Sequence, residues 1–82
     1  MSYDPMPFGD RVRSNAEERG LAVEMLEYSG NRDEFTVHMR TPAGTEVRIT
    51  FDGKLVSMFC HGDAAIGEVI DAEFDNLMRS KP

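Results

Sequence analysis

Residues 47–61 read VRITFDGKLVSMFCH, and the way this stretch pairs with its neighbours decides the fold. Val47, Ile49 and Phe51 alternate with Arg48 and Thr50, the period-two pattern of a strand with one buried face. Asp52-Gly53 follows, a dipeptide suited to a type I′ hairpin because both central residues of that turn need positive φ. Beyond it Val56, Met58 and Cys60 alternate with Leu55, Ser57 and Phe59. The stretch therefore predicts a hairpin in which Phe51 faces Lys54, Ile49 faces Val56 and Val47 faces Met58.

Working upstream, residues 34–40 (EFTVHMR) alternate in the same way, with Phe35, Val37 and Met39 on one side. Between the two runs TPAGT places proline and glycine where a tight loop uses them. A three-residue loop at Pro42-Ala43-Gly44 sets Met39 against Val47, Val37 against Ile49 and Phe35 against Phe51. Both loops place the large apolar residues on one face, and a one-residue slip in either would scramble it. The opposite face then carries Thr36, His38, Arg40, Glu46, Arg48, Thr50, Leu55, Ser57 and Phe59.

Downstream, residues 63–80 predict a helix with Asp63 as N-cap and an apolar stripe of Ile66, Val69, Ile70, Phe74, Leu77 and Met78. Upstream, Phe8, Val12 and Ala16 fall at i, i+4, i+8, and Gly20 followed by Leu21 is a glycine-terminated helix end, so a short helix spans residues 10–19. Residues 1–9, with two prolines and little periodicity, are expected to form a tail. LAVEMLEYSGN is ambiguous. A helix through it from a Ser14-x-x-Glu17 capping box would carry Gly20 inside at a cost of about 1 kcal/mol, which favours a strand. The expected architecture is α+β and two-layered. An antiparallel meander of three or four strands packs on a C-terminal amphipathic helix, with a short N-terminal helix, and residues 10–82 form a single domain.

Bulk properties narrow the function. Eighty-two residues with 40% hydrophobic content allow one core. A formal charge of −6 opposes the clustered Lys and Arg that hold phosphates, so direct nucleic-acid binding is not expected. Were residues 21–29 helical, the order α-β-β-β-α would be that of double-stranded RNA-binding domains. That family uses lysines at the start of its last helix, where this chain has GDAAIGE. A single cysteine rules out an internal disulfide, and no basic-then-apolar leader opens the chain, so a cytoplasmic, non-membrane protein is expected.

Chemistry-bearing residues are few. Cys60 and His61 are adjacent, and on a strand they point to opposite sides, so they do not form a thiolate–imidazolium pair. Cys60, His61, Asp63 and His38 lack a zinc-ligand spacing, and no metal or other cofactor is expected. Glu73 lies on the line of Ile66 and is either an edge residue bending to solvent or a partly buried carboxylate with a basic partner. Gly67, one turn into the last helix, suggests a close approach of helix and sheet. With no paired catalytic groups, an enzyme is not expected.

Two surfaces remain. On the outer sheet face Arg40, Arg48, Leu55 and Phe59 combine arginine with apolar groups, the composition of interface centres. This predicts a non-catalytic interaction or regulatory module that holds a protein partner or dimerises through that face. The alternative is a small acidic inhibitor of a nucleic-acid-binding protein, of the kind that phages and mobile elements encode, that uses the helical line Glu68, Asp71 and Asp75 as a phosphate mimic.

Overall fold

A computed structural model describes residues 4–80. Their order is α1 (Met6–Glu18), β1 (Ala22–Ser29), β2 (Glu34–Arg40), β3 (Glu46–Asp52), α2 (Gly53–Cys60) and α3 (Ala64–Ser80). The three strands form one antiparallel sheet in the order β1-β2-β3. The β2–β3 register is the expected one: Phe35 lies across from Phe51, Val37 from Ile49 and Met39 from Val47. All six are buried, while Arg48 and Thr50 on the other face are exposed.

The helices cover the apolar face. Phe8 of α1 meets the rings of Phe35 and Phe51 at centroid distances of 5.4 and 5.3 Å, and Phe74 of α3 reaches Phe51 at 6.5 Å. α1 begins at Met6 rather than Asp10, with a proline in its first turn and the Met6 N–H donating to Asp4 Oδ1 at 2.9 Å. Residues 6–9 of the expected tail are therefore helix, and its first three residues lie outside the described ones. α1 ends as expected. Gly20 has φ 74, the Gly20 N–H donates to Glu17 and the Leu21 N–H to Ala16, and Leu21 is buried beyond the cap. Residues 22–29 are a strand, with a register shift between Val23 and Met25 at Glu24. In α3, Asp63 Oδ1 accepts the Ala65 N–H at 3.1 Å, and Ile66, Ile70 and Phe74 form its buried line.

Residues 53–60 depart from the expected fourth strand and are helical. Asp52 stays extended, and its carboxylate accepts the Lys54 N–H at 2.8 Å, so it serves as a helix N-cap rather than a turn residue. Gly53 is not among the positive-φ residues. Its N–H donates to the Asp33 carbonyl at 2.7 Å, and a Cβ there would lie 2.2 Å from Asp33 Oδ1 and 2.7 Å from that carbonyl. Glycine is required because the β1–β2 turn presses against the start of α2, not because a hairpin reverses there. Val56 is then buried, and Leu55, Phe59 and Cys60 pack beside it as one helical stripe. This overturns the placement of Leu55 and Phe59 on the outer sheet face: both belong to the helical layer.

Candidate interaction surfaces

A largely apolar concavity lies between α1 and β1. After the shift at Glu24, Leu26 comes across from Val37 and Tyr28 across from Phe35, so both face the helical side of the sheet. β1 is an edge strand, however, and α1 covers only part of it. The result is a groove of about 480 Å³ whose lining includes Met6, Gly9, Leu26, Tyr28 and Phe35, with Asp4, Asp10 and Arg13 at its polar margin. Met6 is 65% exposed, Leu26 38% and Tyr28 39%. Gly9 lies on the groove's floor, where a Cβ would make an ordinary contact with Leu26 Cδ2 at 3.9 Å. Tyr28 is fixed by its hydroxyl, which donates to Asp33 Oδ1 at 3.0 Å and raises the phenol above its ordinary pKa. Sequence reasoning misses this surface. Met6 falls in the supposed tail and residues 21–29 are ambiguous, although two apolar residues at i and i+2 on a candidate edge strand, Leu26 and Tyr28, are its signal.

The other side of α1 meets α3 in a polar seam. Arg11 makes a forked pair with Asp71 (Nε–Oδ1 3.0 Å, Nη2–Oδ2 2.7 Å), and the buried Asn15 donates its amide to Asp71 Oδ1 and to the Arg11 carbonyl. Arg19 joins Asp75 and the Asn15 side-chain oxygen. Hydrogen bonds from Arg11, and then Asn15, hold the Asp71 carboxyl below its usual range against the opposing effect of partial burial. A phosphate-mimicking line needs free carboxylates. Of Glu68, Asp71 and Asp75, the last two are already engaged within the fold. Gly67 does permit a close approach, but of α3 to Arg11 and Phe59 rather than to the sheet: a Cβ would lie 3.1 Å from Arg11 Nη2 and 3.3 Å from Phe59 Cε1. The Arg11 guanidinium stands 6.0 Å from the Phe59 ring centroid.

On the outer sheet face, Arg40 pairs with Glu24 at 3.0 Å, and His38 lies 3.0 Å from Glu27. Met25, 50% exposed, is the large apolar group there. Arg40 and Arg48 remain on this face, but Leu55 and Phe59 do not join them. Between β3 and α3 an open groove of about 400 Å³ is lined by Arg48, Ile49, Thr50, Glu73, Asn76 and Leu77. Glu73 is exposed, as its edge-residue reading expects.

Cys60 and His61 diverge. Cys60 packs against the core at the end of α2, where burial raises its thiol pKa and keeps it protonated. The His61 ring turns back on its own helix, with Nδ1 2.7 Å from the Ser57 carbonyl oxygen. Among the described residues, no three His, Cys, Asp or Glu side chains gather as a metal site, and no helix is long and apolar enough to cross a membrane. No protein-family model, curated protein or solved structure matches the chain.

Proposed function

We propose that the protein is a non-catalytic interaction module that binds a protein partner, and that its docking surface is the α1–β1 groove rather than the outer sheet face. The observation that carries this reading is the contiguous exposure of Met6, Leu26 and Tyr28 around one concavity at a sheet edge. Scattered apolar surface residues need no explanation, but three that share a groove form a patch. The outer face offers mainly charge and hydroxyl groups, several already paired across strands. A protonated, packed Cys60 and a solvent-facing Glu73 favour a binding role over acid–base or nucleophilic chemistry.

The test is a pull-down from a lysate of the source organism with three baits: the wild type, Leu26→Ser in the groove and Arg48→Asp on the outer face. The expected partner is captured by wild type and by Arg48→Asp but lost by Leu26→Ser. A partner lost only by Arg48→Asp would move the interface to the outer sheet face and overturn the groove assignment. Capture of nothing by any bait would count against the interaction role itself.

A further inference from the structure

We propose that the groove and the free edge of β1 together receive an extended segment of a partner protein, with alternating apolar and basic residues, that adds to the sheet as a fourth strand. This rests on the groove being the docking surface. The occupant's shape follows from β1. No described strand pairs with its outer edge, and its pairing to β2 is regular from Met25 to Ser29, so about five residues of backbone are open to a new neighbour. Leu26 and Tyr28 stand two residues apart on the groove side, so a strand laid beside them would turn every second side chain towards the groove. Main-chain bonds would then supply affinity, and the groove would select the alternate side chains.

Charge sets the partner's chemistry. β1 carries no Lys or Arg; its Glu24 is paired with Arg40, whereas Glu27, beside His38, keeps a side chain that is 58% exposed. The groove margin adds Asp4 and Asp10 against Arg13, on a chain with a formal charge of −6. A neighbour with Lys or Arg at its outward positions complements this edge.

A second copy does not. Two-fold pairing that sets Leu26 across from the other copy's Tyr28 also sets Glu27 across from Glu27, and directly opposed like charges are destabilising. Pairing Leu26 with Leu26 instead draws the irregularity at Glu24 into the ladder. Bulges and edge charges are devices that discourage self-pairing.

The experiment selects random-sequence peptides displayed on phage against the immobilised full chain. The resulting consensus peptide is synthesised and titrated against the wild type, Leu26→Ser and Glu27→Lys. Amide hydrogen exchange is followed with and without peptide. The expected consensus alternates apolar residues with Lys or Arg over about five positions. Leu26→Ser should weaken it about tenfold. Glu27→Lys should weaken it about threefold, with recovery when the facing peptide Lys becomes Glu. The β1 amides should exchange more slowly when peptide is bound. Should Leu26→Ser fail to fold, Met6→Ser tests the same groove.

A consensus with apolar residues at i, i+3 and i+4, sensitive to Leu26→Ser but without slowing at β1, would overturn the added strand and leave the groove reading standing. Absence of any selected peptide, or binding indifferent to both groove variants, would overturn both. Concentration-dependent dimerisation that slows β1 exchange without peptide would also overturn the proposal, by making a second copy the occupant.

Discussion

The two sides of α1 treat polarity in opposite ways. Towards α3 the helix spends Arg11, Asn15 and Arg19 on Asp71 and Asp75, and the buried Asn15 amide has both its hydrogens placed. Towards β1 the same helix presents Met6 and Gly9 to Leu26 and Tyr28, leaving an open apolar groove. Apolar packing tolerates many arrangements, whereas a forked Arg–carboxylate pair with a buried amide beside it accepts few. The α3 side therefore sets where α1 sits, and the β1 side is left with surface that the fold does not use. That contrast gives one side a structural role and leaves on the other the surface proposed for binding.

The largest effect is expected where the groove's far wall is anchored. Tyr28 is held by Asp33, and the Asp33 carbonyl accepts the Gly53 N–H across a gap that admits no Cβ. Gly53→Ala must push the β1–β2 turn off the start of α2, at an expected cost of about 1–3 kcal/mol. Chemical denaturation measures the loss. A stability unchanged by this substitution would mean that the turn is free to move and the groove wall is not fixed.

The seam comes next. Asp71→Ala leaves Arg11 without its fork and Asn15 with one unplaced amide hydrogen, an expected loss of about 1–2 kcal/mol after allowing for the half-exposed pair. The same carboxylate gives a pH signature. Its folded-state pKa is lowered, so its stabilising contribution is complete above the ordinary value of 3.8 and disappears as pH falls through the lower folded value. The stability difference between wild type and Asp71→Asn, measured by denaturation from pH 6 downwards, should hold steady and then shrink below about pH 4. A difference that grows on acidification would contradict the seam.

The seam and the groove differ in how far sequence can reach them. The β2–β3 pairing is legible because three independent constraints agree: two alternating runs and a loop length that keeps their parity. The helical stripe Ile66, Ile70, Phe74 and the Asp63 cap are legible because they are local. Residues 53–60 are not. In a segment of eight residues, Leu55, Val56, Phe59 and Cys60 satisfy a helical stripe while Val56, Met58 and Cys60 satisfy a strand, and Asp-Gly serves equally as hairpin turn or as N-cap plus first residue. Beside the Asp52 cap, the start of the helix is held by the contact between Gly53 and Asp33, twenty positions apart, which no local pattern encodes. The candidate interface Arg40, Arg48, Leu55 and Phe59 depends on that choice and divides between two layers when it changes. The acidic line fares similarly. Its spacing is visible in sequence, but the arginines engaging Asp71 and Asp75 sit 60 and 56 residues away.

The smallest expected effect on stability is the one that separates the two sides of α1 most cleanly. Met6 opens the helix and is 65% exposed, so Met6→Ser removes little buried area and leaves the backbone N–H that Asp4 caps. Its thermal melt should stay within about 0.5 kcal/mol of wild type. Affinity for a groove-bound peptide should nevertheless fall several-fold, because the methionine would become buried only in the complex. The reverse pattern belongs to Asp71→Ala, which should lower stability yet leave the groove's affinity near that of wild type under folded conditions. Equal losses of stability and binding in both variants would join the two sides into one structural unit. Opposite losses would establish that α1 is anchored by one side and recognises with the other.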